Sequence, residues 1–321
     1  MLKINKLNWL QKIVFYFFIL FIAITIIFFA INILIEPQIK KNIETYSSIS
    51  QSYLMRYKDF WINLFTFNPG KIYSHELASV ESNIFLLYLS QFKWTILISF
   101  FIFVFSFLLG NILGVISAYK FNKSFDTAIS ILISFLGALP LLIIAILAIS
   151  ASSFFGYPSQ FLNNKLSFAS LIVPILISSF PTIAIFFSKS RKITLEILKS
   201  NNYLFAKSYG LNNRQLLNKV ILKQLFISQL NLFFVIYTLL FTITILIERI
   251  FSIPGQSLLI SFAFKKGELD IIMFYFIFNF ILLSLLITIN NAIIKKLNPI
   301  LDNKKLFLFK NIFRFKGGKN E

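Results

Sequence analysis

The chain of 321 residues contains no cysteine, one histidine, ten glycines and only twelve acidic residues. Without cysteine there are no disulfides and no thiolate metal sites, and the redox compartment leaves no trace in the sequence. A single His75 excludes a multi-histidine site. Its surroundings, "SHELAS", lack the second histidine of a zinc-protease helix, so it reads as a solvated loop residue. The glycines do not form a phosphate-binding loop. Gly70-Lys71 and Gly318-Lys319 are followed by Ile72 and Asn320, where a Ser or Thr would be needed to complete the cradle. Hydrolysis of ATP by that route is excluded, and no acid–base or nucleophile constellation takes its place. No catalytic residue, cofactor or metal is predicted, and no substrate-binding residue is assigned.

Charge is also scarce. Charged residues make up 13% of the chain and hydrophobic residues 57%, against about 25% and 45–50% in soluble domains. The apolar residues gather into six uncharged windows, each able to cross a bilayer: 13–35, 94–118, one within 127–155, 167–187, 225–247 and 271–294. A charge at mid-bilayer costs about 2.5–3.5 kcal/mol, which makes six such windows a signature of an all-α, polytopic membrane protein. The first apolar run is too long for a signal-peptide core, and "ILIEPQ" after it offers no small-residue cleavage site. It reads as a retained anchor. Ionisable groups are missing from the middle of the spans, which argues against a proton- or sodium-coupled carrier.

The positive charge has a direction. With both termini on the cytoplasmic side, the inside segments hold 21 Lys/Arg and four acids, and the outside segments hold ten and eight. The asymmetry, +17 against +2, follows the positive-inside rule and places the chain in the cytoplasmic membrane. The net charge of +19 is this signature rather than a sign of nucleic-acid binding. The organisation predicted is a tail and first span at 1–35, an extracytoplasmic segment at 36–93, a five-helix core at 94–294 and a basic cytoplasmic tail at 295–321. That tail alternates Phe307, Phe309, Phe313 and Phe315 with lysines and arginine, a pattern suited to an anionic lipid surface.

One basic insert interrupts the core, at 188–224. Its stretch "KSNNYLFAKSYGLNNRQLLNKVILKQL" has five cationic side chains and no acid. Gly210 suits the left-handed turn that closes one helix. Asn212 followed by Gln215 suits a capping box that opens the next. Leu216, Leu217, Val220 and Ile221 then form an apolar stripe, which would lie on the membrane face or dock on a partner.

The segment 195–211, "LEILKSNNYLFAKSYGL", resembles the cytoplasmic loop of the membrane subunits of binding-protein-dependent ABC importers, most of all the B-type permease of the oligopeptide/dipeptide group. Leu195, Glu196, Leu198, Ala206, Gly210 and Leu211 match in register. Asn201 stands where an acid is usual, and Lys223 where the broader pattern has proline. "LIERIFSIPGQSLLISFAF" at 246–264 is similar to the group's segment after the fifth span, through Glu248, Phe251, Pro254, Gly255 and Ala263. Gly110, Gly114 and Asp126 fit at 108–126, as do Pro140, Asn291 and Asp302. The resemblance implies a type I importer permease moving substrate by alternating access. It also implies contact with ABC ATPase subunits through Glu196, Ala206, Lys207, Gly210, Leu211, Leu216 and Leu217. Further implied partners are a second, homologous permease and an extracytoplasmic substrate-binding protein. Oligopeptides or dipeptides are the implied substrates, and a same-fold permease for nickel or another small solute is the alternative. A self-sufficient secondary transporter or a membrane scaffold would lack a reason for the insert.

Several of these residues also have plain structural readings. Gly110 and Gly114 form a small-xxx-small pair suited to helix packing. Pro140 and Pro181 suit helix kinks. Glu248 beside Arg249 suits an interfacial charge pair.

Overall fold

The computed structural model describes residues 9–163 and 166–297. Asp302, nearly all of the basic tail and residues 1–8 lie outside that range. The described residues form thirteen α-helices and one π-helical turn, with no strand among them.

Five helices are long and apolar enough to cross a membrane: α1 (Trp9–Lys41), α5 (Ile84–Tyr119), α8 (Ser167–Leu198), α11 (Lys223–Ile250) and α13 (Leu269–Leu297). The window at 127–155 is not one straight span. It is two helices, α6 (Ser124–Ala138) and α7 (Leu141–Phe155), bent by 91°. Proline is the cause. Pro140 has no N–H to donate, and its ring pushes the preceding residue out of the helical region. Leu139 is accordingly extended, at φ −65° and ψ 133°. Each half, at 15 residues, is about 22 Å long and too short for a core of about 30 Å. With the bent pair counted as one crossing, the described residues hold six candidate crossings. Pro174 and Pro181, by contrast, sit within α8, which continues through both.

The chain divides into two compact units. The first comprises residues up to Lys93 together with Gly255–Phe280. Here the long segment after α1 is largely helical, with α2 (Ile43–Ser48), α3 (Tyr53–Phe65) and α4 (His75–Ala78), and α12 (Gln256–Lys266) belongs with them. His75 is exposed at the start of α4, in keeping with a solvated position. The loop before α4 is held by Glu268, whose buried carboxylate accepts the Tyr73 and Ser74 amides at 2.9 and 2.6 Å. Burial pushes that carboxyl above its ordinary value, while the amides pull it down. Asn42 and Thr45 donate to the Lys266 carbonyl at the end of α12, which occupies an acceptor that a helix end leaves open.

The second unit comprises Trp94–Pro254 and the residues from Ile281 on. Its core is built from Ile98, Ile102, Phe186, Ile236, Leu240 and Ile247, drawn from α5, α8 and α11. The small-xxx-small pair on α5 explains how closely α8 approaches. A Cβ on Gly110 would stand 2.5 Å from the Phe186 Cβ, and one on Gly114 would stand 2.7 Å from the Ser190 Cβ. Any larger side chain would force the two helices apart. A buried polar joint crosses the same region, where Gln229 donates to Asn111 Oδ1 at 2.7 Å.

Candidate functional site: the insert between two spans

The insert lies wholly within the second unit. Helix α8 runs past its apolar window to Leu198, and Ser200 then caps α9 (Asn201–Ser208) by accepting the Tyr203 amide. Gly210 takes φ +80°, the left-handed conformation its position in the sequence demanded. Asn212 opens α10 (Asn213–Leu216) with both bonds of the capping box present, at 2.9 and 3.1 Å. The helix–turn–helix expected from the sequence is therefore the observed local structure.

The second helix of the insert departs from expectation. Leu217–Leu222 is π-helical before α11 begins. The wider turn has a packing reason. Leu216 and Ile221 are five residues apart, which places them about 140° apart around an α-helix. An i→i+5 turn brings them to within about 50°. Both are buried, at 1% and 0% exposure. They join Val115, Ile193, Ile197, Tyr203 and Leu225 in a small core under the insert.

That core changes the reading of the predicted contact residues. Leu216 packs inside its own chain and offers no surface to a partner. Ala206, Leu211 and Leu217 are half-buried against the same cluster. Glu196, Lys207 and Gly210 are exposed. The outward side of α9 and its C-cap instead carries Leu204, Phe205 and Tyr209, at 53%, 64% and 76% exposure. Phe205 and Tyr209 lean together with ring centroids 5.4 Å apart. These three side chains do not stand out in the sequence, because an apolar stripe looks the same whether it faces its own core or a partner. Lys199, Lys207 and Arg214, in the same stretch of the chain, are also exposed.

The insert is anchored at its base by a buried ion pair. Asp126, at the start of α6, accepts from Arg191 Nε and Nη2 at 2.8 and 2.7 Å. It also accepts from the Ser117 hydroxyl and from the Asn122 amide. Asp126 is marked by its motif. Arg191 is not, because nothing in "SKSRK" distinguishes it from its basic neighbours. The pair ties the α8 end of the insert to the α5–α6 turn, and Arg191 also lies over the Phe121 ring at 5.2 Å.

The motif after the fifth span does not form one constellation. Glu248 is fully buried and accepts from the Thr95 hydroxyl, whereas Arg249 is exposed. Phe251 is buried in the core of the second unit, where its carbonyl accepts the Phe161 amide at 2.9 Å. Pro254 ends that unit, and Gly255 is the N-cap of α12 in the other. Among the described residues, no group of three His, Asp or Glu side chains could hold a metal ion.

Residues 110–302 match the family model described as binding-protein-dependent transport system inner membrane component. The oligopeptide transport system permease protein OppB of Mycoplasma pneumoniae is 25% identical over 276 residues, covering 81% of this chain and 70% of its own length. The nickel import system permease protein NikB of Staphylococcus aureus is 28% identical over 246 residues, covering 76% of this chain and 71% of its own. A putative peptide transport system permease protein of Brucella abortus is 25% identical over 264 residues, covering 79% and 82%.

Proposed function

This chain belongs to the family of binding-protein-dependent transport system inner membrane components, and we propose that it is half of an oligopeptide or dipeptide translocation path whose insert is gripped by an ATPase subunit. The observation that carries this reading is the exposed Leu204, Phe205 and Tyr209 patch. It sits on a short helix held rigid by its own small core. Three large apolar side chains exposed together at one turn of the chain fit a docking surface. Aromatic side chains held on a packed element make a contact that can transmit force in either direction.

What this chain lacks defines the rest of the machine. It has no phosphate-binding loop, so ATP is hydrolysed elsewhere. Closure of two ATPase subunits would press on the insert of this chain and on that of a second, homologous permease. The cavity between the two permeases would then open alternately to each side. An extracytoplasmic binding protein would deliver the substrate. The relatives named for oligopeptides and peptides favour a peptide cargo, and the nickel permease marks the alternative. The insert and both termini would lie in the cytoplasm, as the charge asymmetry requires.

Cysteine labelling tests the orientation and the docking together, because the chain has no cysteine of its own. Ser79 and Ser208 are both exposed. Ser79→Cys is expected to react with an impermeant thiol reagent in intact cells. Ser208→Cys is expected to react only in inside-out vesicles, and several-fold faster once the ATPase subunits have been stripped away. Labelling of Ser208→Cys in intact cells would reverse the orientation. An unchanged rate after stripping would remove the docking contact.

A further inference from the structure

The segment after α1, together with the first turn of α13, lines a polar cavity of about 350 Å³. That volume lies at the small end of ligand pockets, about 300–1,000 Å³. Arg56 and Asp59 line it from α3, Lys71 and Tyr73 from the loop before α4, and Asp270 from α13. All five residues belong to the first unit.

The bonds that fix these walls leave part of their polar capacity unused. Arg56 is 3% exposed. Its Nε donates to the Ser50 carbonyl at 2.5 Å, and its Nη1 donates to Glu36 Oε2 at 2.8 Å and to Asn32 Oδ1 at 3.3 Å. Glu36 thus balances its charge. Nη2 has no acceptor among the described residues, although buried polar nitrogens ordinarily find one. Asp270 is held through one oxygen. Its Oδ2 accepts the Lys71 amide at 2.8 Å and the Tyr73 hydroxyl at 3.3 Å, while its Oδ1 accepts no hydrogen bond among the described residues. The loop comes this close because residue 70 is glycine. Gly70 has φ +93°, and a Cβ on it would stand 2.5 Å from Asp270 Oδ2. Asp59 and Lys71 are exposed, and neither forms an ion pair among the described residues. Burial, and then the negative charges of Asp270, Glu268 and Asp59, push the Tyr73 hydroxyl above its ordinary value, so Asp59 lies within electrostatic reach of the same corner.

The cavity therefore presents uncommitted groups of both signs. Asp59 and Asp270 Oδ1 are acceptors suited to an ammonium. Arg56 Nη2 and the Lys71 ammonium are donors suited to a carboxylate. A simple cation would face Lys71 and leave Arg56 Nη2 unsatisfied. A simple anion would face two carboxylates. A molecule carrying both charges satisfies both sets. We propose that this cavity binds a small zwitterion, an α-amino acid or a short peptide, with its ammonium on Asp59 and Asp270 and its carboxylate on Arg56 and Lys71. The site does not rest on what the protein transports, and it is tested by binding rather than by uptake.

The full-length chain in lipid nanodiscs, with no binding protein present, is dialysed to equilibrium against radiolabelled L-alanine and, separately, L-alanyl-L-alanine. Titrating the two in parallel tells a free amino acid from a peptide. Saturable binding of at least one is expected, and either acetylating its amine or amidating its carboxylate should weaken it about tenfold or more. Asp59→Asn should weaken the zwitterion about tenfold and leave the acetylated probe, which has no ammonium, unchanged. Lys71→Gln should do the same with respect to the amidated probe. Neither side chain makes a hydrogen bond or an ion pair among the described residues, and the Lys71 amide that Asp270 accepts is retained, so folding does not confound the result. Absence of saturable binding for both probes would overturn the proposal. Wild-type affinity in both variants would place the binding elsewhere in the chain and overturn it equally.

Discussion

Gly210→Val is expected to cut substrate-stimulated ATP hydrolysis by the assembled complex about five- to thirtyfold while leaving the amount of protein in the membrane unchanged. The reason is backbone conformation alone. Gly210 has φ +80°, and a Cβ built on it meets nothing within 4 Å. Space is therefore not the issue. A non-glycine residue in the left-handed region costs about 1–2 kcal/mol, and a β-branched one is worse placed still. Strain of that size shifts an equilibrium about five- to thirtyfold. The chain would relieve it by rotating the turn, which displaces Asn212 and breaks the capping box opening α10. The exposed face of α9 and the helix after the turn would then no longer hold their fixed relation. Gly210→Asn is the discriminating companion, because asparagine tolerates the left-handed region. It should keep most of the activity. Equal loss in both variants would point to a contact at Gly210 rather than to its conformation, and full activity in Gly210→Val would leave the insert as an ordinary surface helix.

Asp126→Ala should destabilise the second unit more than any surface change. It removes the partner of Arg191, a guanidinium whose side chain is only 28% exposed. Breaking such a pair by deleting one member costs about 3–5 kcal/mol, because the other charge is left uncompensated. The partial exposure of Arg191 places the expected loss at the lower end, about 3 kcal/mol. The Ser117 hydroxyl and the Asn122 amide lose their acceptor as well. The readout is the unfolding midpoint of the purified complex in detergent, which should fall by several degrees. Asp126→Ala combined with Arg191→Met removes both charges and should recover a large part of the loss, as apolar replacements of buried pairs do. If the double variant is no better than the single one, the destabilisation comes from lost side-chain volume and hydrogen bonds rather than from the orphaned charge.

Much of this protein is legible in its sequence where a single local rule decides. Charge-free windows locate the five helices able to cross a membrane and the bent pair at 127–155, because a charge in hydrocarbon is costly at any position. The Gly210 turn and the Asn212–Gln215 cap are also legible, since both depend on residues within a few positions of each other. The features that the sequence hides depend on residues far apart or on a choice between equivalent burials. Asp126 and Arg191 lie 65 residues apart, and no spacing rule connects them. The stripe containing Leu216 suits a partner as well as it suits Val115 and Ile193, and only tertiary packing decides between the two. The π-turn at Leu217–Leu222 exists to serve that packing, so no propensity of its own residues announces it. Pro140 signals a kink, but whether a proline bends a span or divides it into two helices depends on what supports the freed carbonyls.

The same distinction governs the functional conclusion. The family is fixed by residues spread over most of the chain. The exposed face of the insert is a geometric matter: Leu216 is buried, while Leu204, Phe205 and Tyr209 are exposed.

If this chain moves its substrate only when an ATPase grips the insert, the most direct test is uptake of a labelled oligopeptide into proteoliposomes containing the chain, its partner permease, the ATPase subunits and the external binding protein. ATP is supplied only on the side that carries the ATPase subunits. The account predicts uptake that requires hydrolysable ATP, stops when the ATPase subunits are omitted, and falls about five- to thirtyfold in the Gly210→Val complex. Equal uptake by liposomes containing this chain without any ATPase subunit would contradict it.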